Sequence, residues 1–172
     1  MRTRTFAILA IVTLVTLVTI LVSCGGTTPP PIPKVGDKAP DFTLQAIDGK
    51  SISLSDFKGK PVMIIFQKTM NCPGCIAQKP FVLAAYEQRT NKDMEVITVY
   101  RGDNIDKVKK FVPNLGWDFP ALADPEDEVG KKFGFSPGAP ITVAIDANGI
   151  ISAEKVGPFQ SQEEITAIFD KL

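Results

Sequence analysis

The sequence predicts an α/β domain: a mixed β-sheet with helices on both faces, entered through an N-terminal β-hairpin. Three observations lead there. The apolar runs 61–66, 95–100 and 141–145 have the length and β-branched content of strands covered on both faces. Segments with helical spacing alternate with these runs, as layered α/β architectures require. Asp48-Gly49 and Asn148-Gly149 are hairpin turn signals, one near each end of the domain.

Each element follows from its residues. Phe42-Thr43-Leu44 and Ser51-Ile52-Ser53-Leu54 alternate as short strands around Asp48-Gly49. Residues 55–60 form a connecting turn. Pro61 to Phe66 is a buried strand, and the segment after Cys72 is helix-forming through Arg89. Pro80 falls inside that helix. An interior proline costs about 3 kcal/mol or bends the axis, so a kink is expected there. Glu95 to Tyr100 is the next buried strand. Asn104 to Val112 is a helix with Ile105, Val108 and Val112 on one side, and Pro113 stops it. Phe119 to Leu122 is a short extended piece, and Glu126 to Phe133 a short helix closed by Gly134. Ile141 to Ile145 turns through Asp146–Gly149 into Ile150 to Val156. The last helix opens on Ser161 and Glu164, the spacing of a capping box, and carries Ile165, Ile168, Phe169 and Leu172 as its apolar face.

The first residues read as an export signal. Arg2 and Arg4 precede an apolar stretch from Phe6 to Val22. Leu21-Val22-Ser23-Cys24 resembles a bacterial lipobox, which makes Cys24 the expected lipidation site. A plain transmembrane anchor is the alternative, since the run approaches the length of a span. Residues 24–34 are rich in Gly, Thr and Pro and form a semi-rigid tether, about 30 Å long at ~3.1 Å per residue. The expected organisation is a signal peptide over 1–23, a tether over 24–34 and a redox domain over 35–172. The domain is expected outside the cytoplasm, lipid-anchored to a membrane.

The chemistry centres on Thr69-Met70-Asn71-Cys72-Pro73-Gly74-Cys75. A strand, a turn and a helix start place Cys72 at the N-cap. Pro73 sits at the first helical position, where its missing N–H is not needed. Cys75 lies one turn on, which brings the two Cα atoms about 5–6 Å apart, within reach of a disulfide. Unpaired N–H groups at the helix start favour a Cys72 thiolate. Cys75 lies deeper. One sulfur is thus set to attack and the other to resolve. A structural bridge and half of a metal site remain open, but a bridge closing so short a loop adds little stability.

Composition excludes several classes. The chain has no histidine, which rules out His-ligated metals, Ser-His-Asp triads and Cys-His proteases. With Arg2 and Arg4 removed, the basic residues fall two short of the 19 acidic ones, and no basic block stands out. Nucleic acid is not an expected partner. Of the three cysteines, Cys24 goes to lipid, and two thiolates cannot complete a zinc site. No metal and no dissociable cofactor are expected; the redox group is the Cys72–Cys75 pair itself.

Several motifs, in order, cover nearly all of 35–172. They are Gly36-Asp37-Lys38-Ala39-Pro40-Asp41-Phe42-Thr43-Leu44, Cys72-Pro73-Gly74-Cys75, Pro80, Phe119 to Asp124, Gly138-Ala139-Pro140-Ile141-Thr142, and Ile145 to Gly149. In this the chain resembles the thioredoxin superfamily, in its redoxin (AhpC/TSA) and TlpA/ResA-like extracytoplasmic branch. The resemblance implies a thioredoxin-like sheet and a thiol–disulfide oxidoreductase. It also implies a cis peptide before Pro140, facing the cysteines, and an Ala139 backbone that receives an extended client segment. The implied partners are client thiols and disulfides, together with a membrane or extracytoplasmic reductant. Two departures stand out. Asn71 occupies the place where relatives carry an aromatic residue. Ile64 and Ile65 occupy the strand where many carry a buried acid, so no proton relay to Cys75 carries over.

Two other functions are compatible with the residues. A peroxiredoxin-like thiol peroxidase, with antioxidant activity, would use Thr69, three residues before Cys72, to hold peroxide. Against it, Ile65 stands where a proline is expected and Pro140 where an arginine is common. Arg101 is a nearby substitute, although an arginine at a strand end is ordinarily solvated. A non-enzymatic lipoprotein handling Cu(I) on two thiolates is the other.

Overall fold

The structure is a computed structural model and describes residues 31–136, 138 and 140–172. The signal peptide, most of the tether, Cys24 and Ala139 lie outside the described residues. Ile32–Leu172 form one compact unit.

The run after Pro61 becomes the central strand β3 (Val62–Gln67), whose six residues are all buried. Its neighbours are almost as fully buried: β4 (Glu95–Arg101) on one side and β6 (Ile141–Ile145) on the other. β1 (Thr43–Ala46), β2 (Ser51–Ser53), β5 (Ala121–Asp124) and β7 (Ile151–Val156) complete seven strands in the order β2-β1-β5-β4-β3-β6-β7. β3, β4 and β5 are parallel, and both outer pairs are antiparallel. This is the mixed sheet the sequence predicts, with its hairpin at the N-terminal edge.

Side-chain alternation divides the core. Val62, Ile64 and Phe66 of β3 face one way, with Ile97, Val99, Leu122 and Val143, and pack on Phe42, Val129, Phe133 and Phe135. Met63 and Ile65 face the other way and pack on two helices through Val82, Ala85, Ile165, Ile168 and Phe169. Beside them Tyr100, Ala121 and Ala123 meet Val108 and Val112. Each residue type thus follows from the period of two along a strand.

The helices are α1 (Pro73–Ala77), α2 (Lys79–Gln88), α3 (Ile105–Phe111), α4 (Glu128–Lys132) and α5 (Gln162–Phe169). A single kinked helix was expected after Cys72; the chain instead breaks at Gln78 into two. Pro80 sits in the first turn of α2, where no N–H is required of it. Helix starts follow side-chain chemistry. The Asn104 side chain accepts from the Lys107 N–H at the start of α3, and Ser161 from the Glu164 N–H at the start of α5. The box at Ser161 is offset by one residue: the Glu164 carboxylate receives the Gln160 N–H rather than that of Ser161. Among the described residues no helix is long and apolar enough to cross a membrane.

Candidate functional site

β3 ends at Gln67, and six residues later, at Pro73, the chain starts α1. Asn71 makes the reversal in the left-handed region, with φ 57°. Among non-glycine residues, asparagine tolerates that conformation best. A short polar residue at position 71 fits that backbone. Cys72 then serves as N-cap with φ −130°, and Pro73 opens the helix.

Cys72 and Cys75 are joined by a disulfide, with Cα atoms 5.2 Å apart. The separation agrees with the spacing argument. Cys72 is half-buried, whereas Cys75 is only 4 % exposed. The Cys75 N–H donates to the Cys72 carbonyl at 3.0 Å, which closes the turn under the bridge. The helix holding the pair is only five residues long, so its aligned dipoles are fewer than a continuous helix to Arg89 would supply.

The bridge opens onto a cleft of about 450 Å³ lined by Lys68, Met70, Asn71, Cys72, Pro73, Gly74, Gly138, Pro140 and Pro158. Of the residues singled out from sequence, Cys72, Pro73, Gly74 and Pro140 come together here. The peptide bond before Pro140 involves Ala139 and so lies outside the described residues, as does Ala139 itself. Thr69 is placed differently. It is buried beside the cleft, its N–H donates to the Asp103 carboxylate at 2.8 Å, and it is not among the lining residues. Its hydroxyl finds no partner among the described residues, and neither do the Gln67 amide nitrogen and the Tyr100 hydroxyl. Burial pushes the Tyr100 phenol well above its usual range.

Sequence reasoning did not find the far wall. Pro158 follows β7, and a Cβ placed on Gly74 would approach its ring at 3.0 Å. Glycine at position 74 therefore lets the turn and the wall touch. Gln78, fully buried at the helix break, fixes that wall by accepting the Phe159 N–H at 3.3 Å. The only sequence hint was a Gly-Pro pair after a strand, which reads equally well as an ordinary turn.

The expectation for Arg101 is corrected. It is not solvated at a strand end but 1 % exposed. Its Nε and one terminal nitrogen pair with Asp127 at 2.6 and 2.9 Å. The remaining donors hold the carbonyls of Phe135 at 3.0 Å and Ser136 at 3.1 Å. The guanidinium is thus consumed in anchoring the segment that leads to Pro140. Gly130 makes the close approach possible, because a Cβ there would collide with both Arg101 and Asp127. Next to this pair, Asp124 caps α4 by accepting the N–H groups of Glu128, Val129 and Gly130. Burial nonetheless raises its carboxyl above the ordinary value, because three donors offset only part of the lost hydration.

A bonded sulfur pair with one partner reachable and the other covered, at the mouth of an open cleft, is suited to exchanging disulfides. Among the described residues no cluster of three or more His, Cys, Asp or Glu could hold a metal.

Comparison with known proteins agrees with this chemistry. The Redoxin family model matches residues 34–169. The chain is similar to the thiol-disulfide oxidoreductase ResA of Bacillus thuringiensis subsp. konkukian, at 31% identity over 139 residues, covering 81% of this chain and 79% of that one. It is also similar to the chloroplastic peroxiredoxin Q of Oryza sativa subsp. japonica, at 34% identity over 137 residues and 76% of this chain. It spans 62% of that rice protein's length. Among solved structures, the exposed lipoprotein thioredoxin Etrx1 of Streptococcus pneumoniae strain TIGR4 superposes with TM-score 0.66 at 27% identity. That match covers 77% of this chain and 100% of that one.

Proposed function

We propose, for a chain that belongs to the redoxin family of the thioredoxin superfamily, the activity of a thiol–disulfide oxidoreductase in which Cys72 attacks and Cys75 resolves. The observation that carries this is the asymmetry of the bridge, with Cys72 facing the cleft and Cys75 covered. In the reduced protein the Cys72 thiolate attacks one sulfur of a client disulfide. The client S–S bond breaks, and the departing thiolate takes a proton from water. Cys75, as thiolate, then attacks the Cys72 sulfur of the mixed disulfide and releases the second client thiol. Two electrons have passed to the client, and the Cys72–Cys75 bridge has formed. An external dithiol reduces it for the next turn, and the reverse sequence oxidises a client dithiol. No dissociable cofactor takes part. Pro140, Gly74 and Pro73 shape the cleft, and Ala139 offers its backbone to the client.

Exchange on single-cysteine variants tests the assignment. Cys72→Ser is expected to abolish reduction of insulin disulfides, and Cys75→Ser to accumulate mixed disulfides with clients. Full insulin reduction by Cys72→Ser would overturn it.

A thiol peroxidase is the weaker reading. The likeness to peroxiredoxin Q favours it, but Arg101, its candidate peroxide-binding arginine, is occupied by Asp127 and two carbonyls. Location is a separate proposal: export, and lipid attachment at Cys24 on the outer side of a membrane. The lipobox-like residues 21–24 support it, as does the likeness to a lipoprotein thioredoxin. Fatty-acid labelling of the chain in cells, lost in Cys24→Ala, is the expected result.

A further inference from the structure

The described residues leave five large apolar side chains exposed: Ile32, Val35, Met70, Ile76 and Val156. Three of them belong to the segments that carry the sulfurs and the cleft. Met70, 69 % exposed, lines the cleft two residues before Cys72. Ile76, 53 % exposed, directly follows Cys75. Val156, 67 % exposed, pairs with Ile141 in the β6–β7 ladder, one rung from Pro140, and precedes Pro158 by two residues. Single exposed apolar residues need no explanation, but several gathered around one reactive group mark a contact surface.

The polar side of the cleft is one-signed. Among the described residues, Lys68 and Asn71 are its polar side chains and no carboxylate lines it. Among the described residues Lys68 makes no salt bridge. Three lining residues, Pro73, Pro140 and Pro158, have no backbone N–H to donate. Much of the wall therefore offers apolar surface and one cation rather than hydrogen-bond donors.

From this we infer the client class: extended cysteine segments in which an apolar side chain adjoins the cysteine on one side and a carboxylate on the other. The inference rests on Cys72 as the attacking sulfur. The apolar neighbour covers Met70, Ile76 or Val156, and the carboxylate meets Lys68. Charge acts chiefly on the encounter rate and screens with salt.

Four synthetic peptides test this, each carrying one cysteine as a mixed disulfide with thionitrobenzoate. Their cysteine is flanked by Leu and Asp, Leu and Lys, Ser and Asp, or Ser and Lys. Release of the coloured thiol by the reduced protein gives a rate, divided for each peptide by its rate with dithiothreitol. The Leu–Asp peptide is expected to react about tenfold faster than the Leu–Lys peptide at low salt, with the gap shrinking at high salt. Lys68→Glu should reverse the order of those two. Met70→Ser combined with Val156→Ser should bring the Leu peptides down to the Ser peptides. Four normalised rates within twofold of one another, or an unchanged charge order in Lys68→Glu, would overturn the client class while leaving disulfide exchange intact. Release from none of the four would overturn the exchange reading beneath it.

Discussion

The two ends of the central sheet are built on different principles. At one end lie the turns Asp48–Lys50 and Asp146–Gly149. There each carboxylate stays at the surface and accepts backbone N–H groups of its own turn: Asp48 from Lys50, and Asp146 from Asn148 and Ile150. Contact with Lys50 holds the Asp48 carboxyl below its usual value, and the Ile150 N–H does the same for Asp146. At the other end, where β3, β4 and β5 stop, polar groups are buried. Asp124 is raised by burial, Arg101 is enclosed with Asp127, and Asn71 holds a left-handed backbone. The turn end is satisfied locally at the surface, whereas the sulfur end buries its charges, and Arg101 there depends on partners far along the chain. That difference separates a fastening from a site, because a site needs groups whose preferred surroundings have been withheld.

The comparison predicts unequal sensitivity. Arg101→Met leaves the half-buried Asp127 carboxylate and the Phe135 and Ser136 carbonyls without their partner and is expected to cost about 3 kcal/mol in urea unfolding. A loss under 1 kcal/mol would mean that Asp127 rehydrates and that the pair is not the anchor of the Phe135–Ser136 segment.

Gly130→Ala comes next. In an exposed helix the change would add about 1 kcal/mol of stability. Here the new methyl must displace Arg101 and Asp127, so a net loss of about 2 kcal/mol is expected. Stabilisation would show that the buried pair tolerates movement.

The smallest effects distinguish the two ends by sign. Asp146, lowered in the folded state, contributes stability that is present above the ordinary carboxylate range and lost as pH falls through its lowered value. Asp124, raised in the folded state, contributes stability that is present below that range and lost as pH rises through its raised value. Asp146→Asn should therefore flatten the fall in stability toward acid, and Asp124→Asn should steepen it. Urea midpoints measured across the acid range check both slopes. Slopes of the same sign would erase the distinction between the ends.

Legibility in the sequence divided along the same line. The hairpin at Asp48-Gly49, the turn at Asp146–Gly149 and the strand Ile141–Ile145 were readable because each is decided by neighbouring residues. Cys72 as N-cap, Pro73 as first helical residue and a bondable spacing to Cys75 were readable for the same reason. The strand near Phe119 was placed about two residues early, since its position is set by pairing with β4 and β1. Arg101 was misread because an arginine at the end of a strand gives no sign of an aspartate 26 positions later.

By itself the sequence determined the alternation of strands and helices, the turns that close the hairpins, and the local geometry that brings two sulfurs to one helix start. Periodicity, capping and turn chemistry act over a few residues, so they are written in the order of the chain. Only the tertiary structure decided that Pro158 walls the cleft against Gly74, that Thr69 turns inward to Asp103, and that Arg101 is buried. Those outcomes depend on contacts between segments tens of residues apart, and burial and charge pairing there are settled by packing rather than by any local preference.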